Sequence, residues 1–406
     1  MEEWKEYKLG EIADIQTGPF GSQLHQSDYV PFGTPCIMPT NIGTQLEIKT
    51  EGIAYVKDKD VKRLERHCVK AGDIIYSRRG DIEKCAFIRK HEEGWLCGTG
   101  CLRIRINAKA SNPHFIAYQL STKECKKWIV GNAVGTTMLN LNTGILKELP
   151  LLMPERKTQD KVVYILKSLD DKIEINRRIN ENLEQQAQAL FKSWFVDFEP
   201  FKDGEFVESE LGMIPKGWKL KRIYEYVDVI YGAPYKSSLF NDNKEGLPLI
   251  RIRDLKTNTP QFHTLEILPN TEYIEAGDIV AGMDAEFTPY VWQGERGVLN
   301  QRCCKFKGKY EGISNYYILF LVKPELEYVQ SYKTGTTVSH LGKSDIDRFV
   351  FLTPPLDIVL AFSEIVNPMI KEVVNRAKES CRLAELRETL LPKLMSGELK
   401  VNELNI

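Results

Sequence analysis

Val162, Leu166, Leu169, Ile173, Asn176, Asn180, Leu183, Ala187, Leu190 and Trp194 follow one another at alternating steps of four and three, and eight of the ten are apolar. Such a stripe lies along one side of an α-helix and has to be buried against another helix. Adding 200 to each number gives Phe362, Val366, Met369, Val373, Arg376, Ser380, Leu383, Arg387, Leu390 and Leu394, of which seven are apolar. The polar interruptions fall at the middle of both stripes. If the two helices pair antiparallel about their midpoints, Asn176 is level with Ser380, Asn180 with Arg376, and Val162 with Leu394. A polar layer inside such a seam costs stability but fixes register. From 162 to 194 the helix would run about 48 Å at 1.5 Å per residue. The alternative is that both stretches are ordinary core helices of one globule. Pro368 lacks an N–H and is expected to kink the second helix or to precede its true start.

The 200-residue echo extends beyond the helices. Trp4 ahead of Lys8-Leu9-Gly10-Glu11-Ile12 is matched by Trp218 ahead of Ile223, and Gly33-Thr34-Pro35-Cys36-Ile37 by Gly246-Leu247-Pro248-Leu249-Ile250. Ala71-Gly72-Asp73-Ile74-Ile75 is matched by Ala276-Gly277-Asp278-Ile279-Val280, and Gly135-Thr136-Thr137 by Gly335-Thr336-Thr337. Four elements in the same order argue for an internal duplication. The first ~150 residues of each half carry short β-rich runs broken by Gly, Pro, Asn and Asp, which read as a mixed α/β domain. No glycine occurs between 145 and 203 or between 343 and 396, where the helices lie. The expected fold is α/β (α+β): two pseudo-twofold-related mixed domains, 1–153 and 200–355, separated by a long antiparallel two-helix coiled coil made of 154–199 and 356–406.

Composition narrows the function. Net charge is -1, so the chain is not a nonspecific polyelectrolyte binder, although a few local cations suffice for sequence-specific DNA binding. No apolar run reaches the ~20 residues of a membrane span, and Met1-Glu2-Glu3-Trp4 does not open a signal peptide, so a cytoplasmic location is expected. Nine cysteines, an odd number without a C-x-x-C pair, read as reduced structural thiols rather than a metal site. Gly342-Lys343-Ser344 would need Gly at 337 to form a phosphate-binding loop, where Thr337 stands. Asp-Pro-Pro-Tyr, G-x-S-x-G, H-E-x-x-H and G-x-G-x-x-G are absent, and the six histidines do not cluster. No catalytic or metal residue is assigned.

Two like domains on an antiparallel rod have the symmetry of DNA half-sites, which lie ~34 to 36 Å apart per turn on one face. Because the two domains differ in sequence, their half-sites would differ as well, with an unread gap between. The competing reading is a coiled-coil scaffold that binds only proteins. Base readout uses Arg on guanine, Asn or Gln on adenine, and carboxylates on cytosine. In the first domain Arg78 and Arg79 follow the Gly-Asp-Ile strand and are candidates for base or phosphate contacts, against the alternative of a solvated pair. Lys62, Arg63 and Arg66 form a second basic cluster suited to phosphates. In the second domain the candidates are Asp284, Asn300, Gln301 and Arg302. Arg251 and Arg253 alternate on an expected strand and so face one side, toward DNA or toward an ion pair with Asp254 or Asp284.

The run Leu386-Arg387-Glu388-Thr389-Leu390-Leu391-Pro392-Lys393-Leu394-Met395-Ser396-Gly397-Glu398-Leu399 resembles the closing signature of type I restriction-modification specificity subunits. Asn180-Glu181-Asn182-Leu183-Glu184 and Ala189-Leu190-Phe191-Lys192-Ser193-Trp194-Phe195 resemble that family's central spacer, and the repeated Gly-Asp-Ile and Gly-Thr-Thr elements resemble its recognition domains. The resemblance implies two target recognition domains reading a bipartite double-stranded DNA site, two methyltransferase subunits docked on the spacers, and restriction-translocase subunits joining them. It implies a non-catalytic chain, with S-adenosylmethionine, ATP and Mg²⁺ belonging to the partners.

Overall fold

The structure is a computed structural model that describes residues 4–109, 111–135, 139–333 and 339–401. Thr136-Thr137 and Gly335-Thr336-Thr337, most of the repeated Gly-Thr-Thr element, lie outside the described residues. The chain forms two compact units, Met1–Asp171 with Ala384–Ile406, and Lys172–Leu383. Both are mixed α/β, and each takes in a stretch of both long helices.

The first unit holds an antiparallel sheet in the order Ala13–Thr17, Cys101–Ile106, Ile74–Ser77, Cys85–Phe87. Beside it lies a second sheet in the order Tyr29–Val30, Ala54–Val56, Thr34–Ile37, Leu96–Cys97, whose last two strands are parallel. The second unit repeats both orders. Its first sheet runs Val227–Tyr231, Cys303–Gly308, Ile279–Gly282, Pro289–Val291. Its second runs Phe240–Asn241, Phe262–Thr264, Leu247–Ile250, Gly297–Leu299, again ending on a parallel pair and extended by Tyr273–Ile274. The duplication inferred from residue types is therefore also a duplication of strand order.

The repeated Gly-Asp-Ile element is a turn into the central strand. Gly72 and Gly277 sit at φ +91° and +105°, where a side chain is strained. Asp73 accepts from Lys70 N (2.8 Å) and pairs with Arg105 (2.6 Å). Asp278 accepts from Glu275 N (2.8 Å) and pairs with Lys305 (2.8 Å). In both units a buried or half-buried carboxylate caps the turn and is neutralised by the neighbouring strand.

The long helices are Arg156–Phe195 and Leu356–Met395. Every one of the twenty stripe positions is buried or half-buried. In the first unit Val162 and Leu166 share a core with Leu391 and Leu394, and Leu390 packs against it. Arg387 there meets Asp170 at 2.9 Å. In the second unit fully buried Asn176 donates to Glu379 (2.8 Å) and Ser380 (3.3 Å), and accepts from Arg376 (3.1 Å). Asn180 donates to the Val373 carbonyl at 3.0 Å. Ala187 and Phe195 share a core with Phe362 and Val366, with Leu190 and Met369 packed against it. Rising numbers on one helix meet falling numbers on the other, so the pairing is antiparallel within each unit. The Asn176–Ser380 level agrees with the expected register. Arg376 turns to Asn176 instead of Asn180, whose side-chain oxygen is left buried without a partner among the described residues. The second helix begins at Leu356, so Pro368 does not mark its start; it lies inside the helix.

Candidate nucleic-acid interface

In both units the central strand ends in a tip built on the same backbone hydrogen bonds. In the first, Arg78 N donates to Gly100 O (2.8 Å), Leu141 N donates to Arg78 O (2.9 Å), and Arg79 bridges Asn140. In the second, Met283 N donates to Arg302 O (2.8 Å), Leu341 N donates to Met283 O (2.7 Å), and Asp284 bridges His340. Position by position, Arg78 corresponds to Met283, Arg79 to Asp284, Gly80 to Ala285, Gly100 to Arg302 and Asn140 to His340. Gly80 and Ala285 both have positive φ, +76° and +62°.

At the first tip, Arg79 is exposed and its side chain has no partner among the described residues. Arg78 is half-buried; its guanidinium lies 5.9 Å from the Phe20 ring centre, within cation–π range, and its buried Nε has no partner. Burial, then the charge of Arg79, pushes its pKa down from the usual guanidinium value. Phe20 is 54% exposed and was not singled out by the sequence. It stands on a loop that Gly18 allows, since a Cβ there would sit 2.1 Å from Gly98 O, and Thr99 Oγ1 ties the loop down through Pro19 O at 3.0 Å. The available signal was an aromatic residue set among turn formers, Gly18-Pro19-Phe20-Gly21, with a counterpart in Gly232-Ala233-Pro234-Tyr235.

Of the second basic cluster, Lys62 is exposed and unpaired among the described residues. Arg63 is engaged internally, donating to Gln23 O (2.7 Å) and pairing with Asp60 (3.1 Å). Arg66 donates to His67 Nε2 (3.1 Å), and its carbonyl accepts from Arg103 (2.8 Å).

At the second tip, Asp284 binds Arg302 Nη1 (3.0 Å) through one oxygen and His340 Nδ1 (2.6 Å) through the other. Gln301 is exposed. Asn300 is 8% exposed and its side-chain oxygen accepts from Arg302 N (3.1 Å), so it shapes the turn that carries Arg302. Arg251 and Arg253 depart from the expected strand. The strand ends at Ile250, and Ile252–Leu255 is one helical turn capped by Asp254 on Arg251 N (3.0 Å). Strand alternation therefore does not apply. The two guanidinium groups still converge on Gln261 Oε1, at 3.1 and 3.4 Å. Arg251 also stacks on Phe262 (4.4 Å) and stands 3.7 Å from Asp254, the internal ion-pair alternative.

Gly342-Lys343-Ser344 opens a single helical turn in which Asp345 accepts from Gly342 N (2.8 Å). The carboxylate takes the N–H that a phosphate would need. Among the described residues no three His, Cys, Asp or Glu are grouped to hold a metal, and no helix is long and apolar enough to cross a membrane. Burial pushes the Cys36, Cys85 and Cys304 thiols up to about 12.

Two mixed α/β units of one plan, each with paired helices and an arginine-bearing loop tip, define a duplicated recognition architecture. The sequence matches the family described as type I restriction modification DNA specificity domain over residues 1–185 and 215–378, and the chain belongs to that family. It is 27% identical to the type I restriction enzyme MjaIX specificity subunit of Methanocaldococcus jannaschii, over 99% of this chain and 95% of that one. It is 25% identical to the HindI specificity subunit of Haemophilus influenzae, over 98% and 100%. The crystal structure of a type I restriction-modification S subunit from M. genitalium shares its fold, with TM-score 0.56 and 15% identity over 97% of this chain and 96% of that one. The chain is accordingly a specificity subunit of a type I restriction-modification system, and a scaffold without DNA specificity finds no support.

Proposed function

We propose that each unit reads one half of an asymmetric bipartite site on double-stranded DNA, and that this chain performs no catalysis itself. The long helices set the unread gap and dock two methyltransferase subunits, to which restriction-translocase subunits add. S-adenosylmethionine, ATP and Mg²⁺ are held by those partners, and the complex works in the cytoplasm. The observation that carries the reading is the pair of tips: one backbone frame bearing different cations, as two readers of different sequences require. Arg78, Arg79 and Phe20 form the first reading edge, with Lys62 and Arg66 toward phosphates. Arg302, Gln301, Arg251 and Arg253 form the second. Within the paired helices Leu169, Ile173, Leu183 and Leu383 keep the seam closed on either side of the Asn176 layer.

The chain, co-expressed with its methyltransferase subunit, is expected to methylate a split motif detectable by sequencing modified genomic DNA. Arg79→Ala should relax one half-site only, at about 1–3 kcal/mol. A single continuous motif, or none, would overturn the bipartite reading. Uniform weakening on all sequences would make Arg79 a phosphate contact.

A further inference from the structure

The second tip does not merely carry an arginine; it tethers one to a carboxylate that a second loop also holds. Both oxygens of Asp284 are occupied, by Arg302 Nη1 at 3.0 Å and by His340 Nδ1 at 2.6 Å, each from a different loop. The Asp284 loop is clamped in turn: Ala285 N donates to Ser339 O (2.9 Å), Gln330 Nε2 donates to Ala285 O (2.9 Å), and Phe287 N donates to Gln330 Oε1 (3.0 Å). Ala285 is kept at φ +62°, a conformation a non-glycine residue holds only when its surroundings over-determine it. The carboxylate recedes and the guanidinium projects, with side chains 21% and 57% exposed.

Such an arrangement suits one task better than another. A phosphate contact needs positive charge and no particular plane, and a carboxylate 3.0 Å away opposes it. A base contact needs the planar fork aimed, with donors left over. Pairing Nη1 with Asp284 tethers the guanidinium by one edge, while its other N–H groups stay available. The major-groove edge that takes two parallel donors is that of guanine, through O6 and N7. Asp284 itself recedes behind the guanidinium and is engaged through both oxygens, so it presents less of itself to a cytosine amino group.

We infer that Arg302 is the specificity-determining side chain of the second domain, that it reads a guanine, and that Asp284 and His340 are positioning residues that hold it. The inference rests on the proposed DNA reading of the tips.

The test uses the full chain with its methyltransferase subunit and scores each position of the methylated motif. Arg302→Ala is expected to lower guanine preference at one position of the second half-site by roughly ten- to a hundredfold. Arg302→Lys keeps the charge and loses the planar fork, so it should weaken the preference at that position, though less than Arg302→Ala. His340→Gln, which can still donate to Asp284, should retain the preference; His340→Ala and Asp284→Ala should each erode it. An intact first half-site shows that every variant folds and docks. The inference is overturned if Arg302→Ala leaves the second half-site unchanged, or if it weakens methylation of every sequence alike, which would mean a phosphate contact. A wild-type chain with no bipartite motif would instead sink the broader reading.

Discussion

Where the first unit places Tyr118, Asp170 and Arg387, the second places Phe320, Ile370 and Ala187. The long-helix positions correspond at an offset of 200 and the tyrosine and phenylalanine at 202, and the two sites answer the same packing problem in opposite ways. In the first, Asp170 accepts from Tyr118 OH (2.5 Å) and from Arg387 (2.9 Å), whose side chain is only 9% exposed. In the second, all three residues sit in one apolar core with Tyr317 and Phe362. The tips show the same division: identical backbone bonds, with Arg79 in one unit and Asp284 in the other. Backbone geometry is shared because turns and sheet order permit few solutions. Side-chain chemistry is free to differ wherever each local set of partners is complete.

That completeness can be broken. Asp170→Ile should cost about 3 kcal/mol in urea unfolding, because it leaves the buried Arg387 only Glu388 as a charge partner. Copying the second unit in full, Tyr118→Phe with Asp170→Ile and Arg387→Ala, should recover most of that loss, since replacing a whole buried ionic set by packed apolar groups is often neutral or better. A triple variant no more stable than the single one would show that the apolar solution depends on surroundings the first unit lacks.

A smaller difference lies one helical turn away. His114 stacks between Phe87 (3.9 Å) and Tyr118 (5.2 Å), while the second unit stacks Tyr316 on Phe320 (5.5 Å). Burial, aided by Lys167 and Arg89 and opposed by Asp171, lowers the His114 pKa to about 4 from an ordinary 6.5. A depressed histidine binds fewer protons folded than unfolded, so its contribution is complete above pH 6.5 and is lost as pH falls toward 4. The first unit should therefore lose roughly 3 kcal/mol over that window. His114→Phe should remove this slope, measured as the difference from wild type in urea midpoints between pH 7 and pH 4.5. A parallel pair of curves would mean that the ring is protonated without cost.

How much of this was legible beforehand depended on the range of the interaction. The long helices could be read because a stripe from Val162 to Trp194 is a local pattern and its partner repeats it 200 residues on. The shared sheet orders could not, because strands of two to six residues choose partners up to about 90 residues away. Arg251 and Arg253 looked like strand residues until Asp254 capped a helical turn under them, and no local pattern announced that the Asn300 side chain closes a turn. Asp284 and Arg302 were both singled out, but their union through His340 joins three separate loops, and no spacing announces it. Phe20 was overlooked because an exposed aromatic is ordinary on its own; what distinguishes it is Arg78 above its ring.

The smallest expected effect is also the cleanest comparison of the two tips. Gly80 and Ala285 occupy the same left-handed position, at φ +76° and +62°. A Cβ at Gly80 would meet no atom within 4 Å, so Gly80→Ala carries a conformational cost alone, about 1 kcal/mol. Ala285→Gly should relieve the same strain but adds freedom to the unfolded chain, leaving a gain of about 0.5 kcal/mol. Both are read from urea midpoints. If Ala285→Gly is stabilising and the second half-site blurs while the first stays sharp, the strained alanine holds Asp284 in place beneath Arg302. If stability rises and both half-sites are unchanged, Gln330 and Ser339 hold that loop without it.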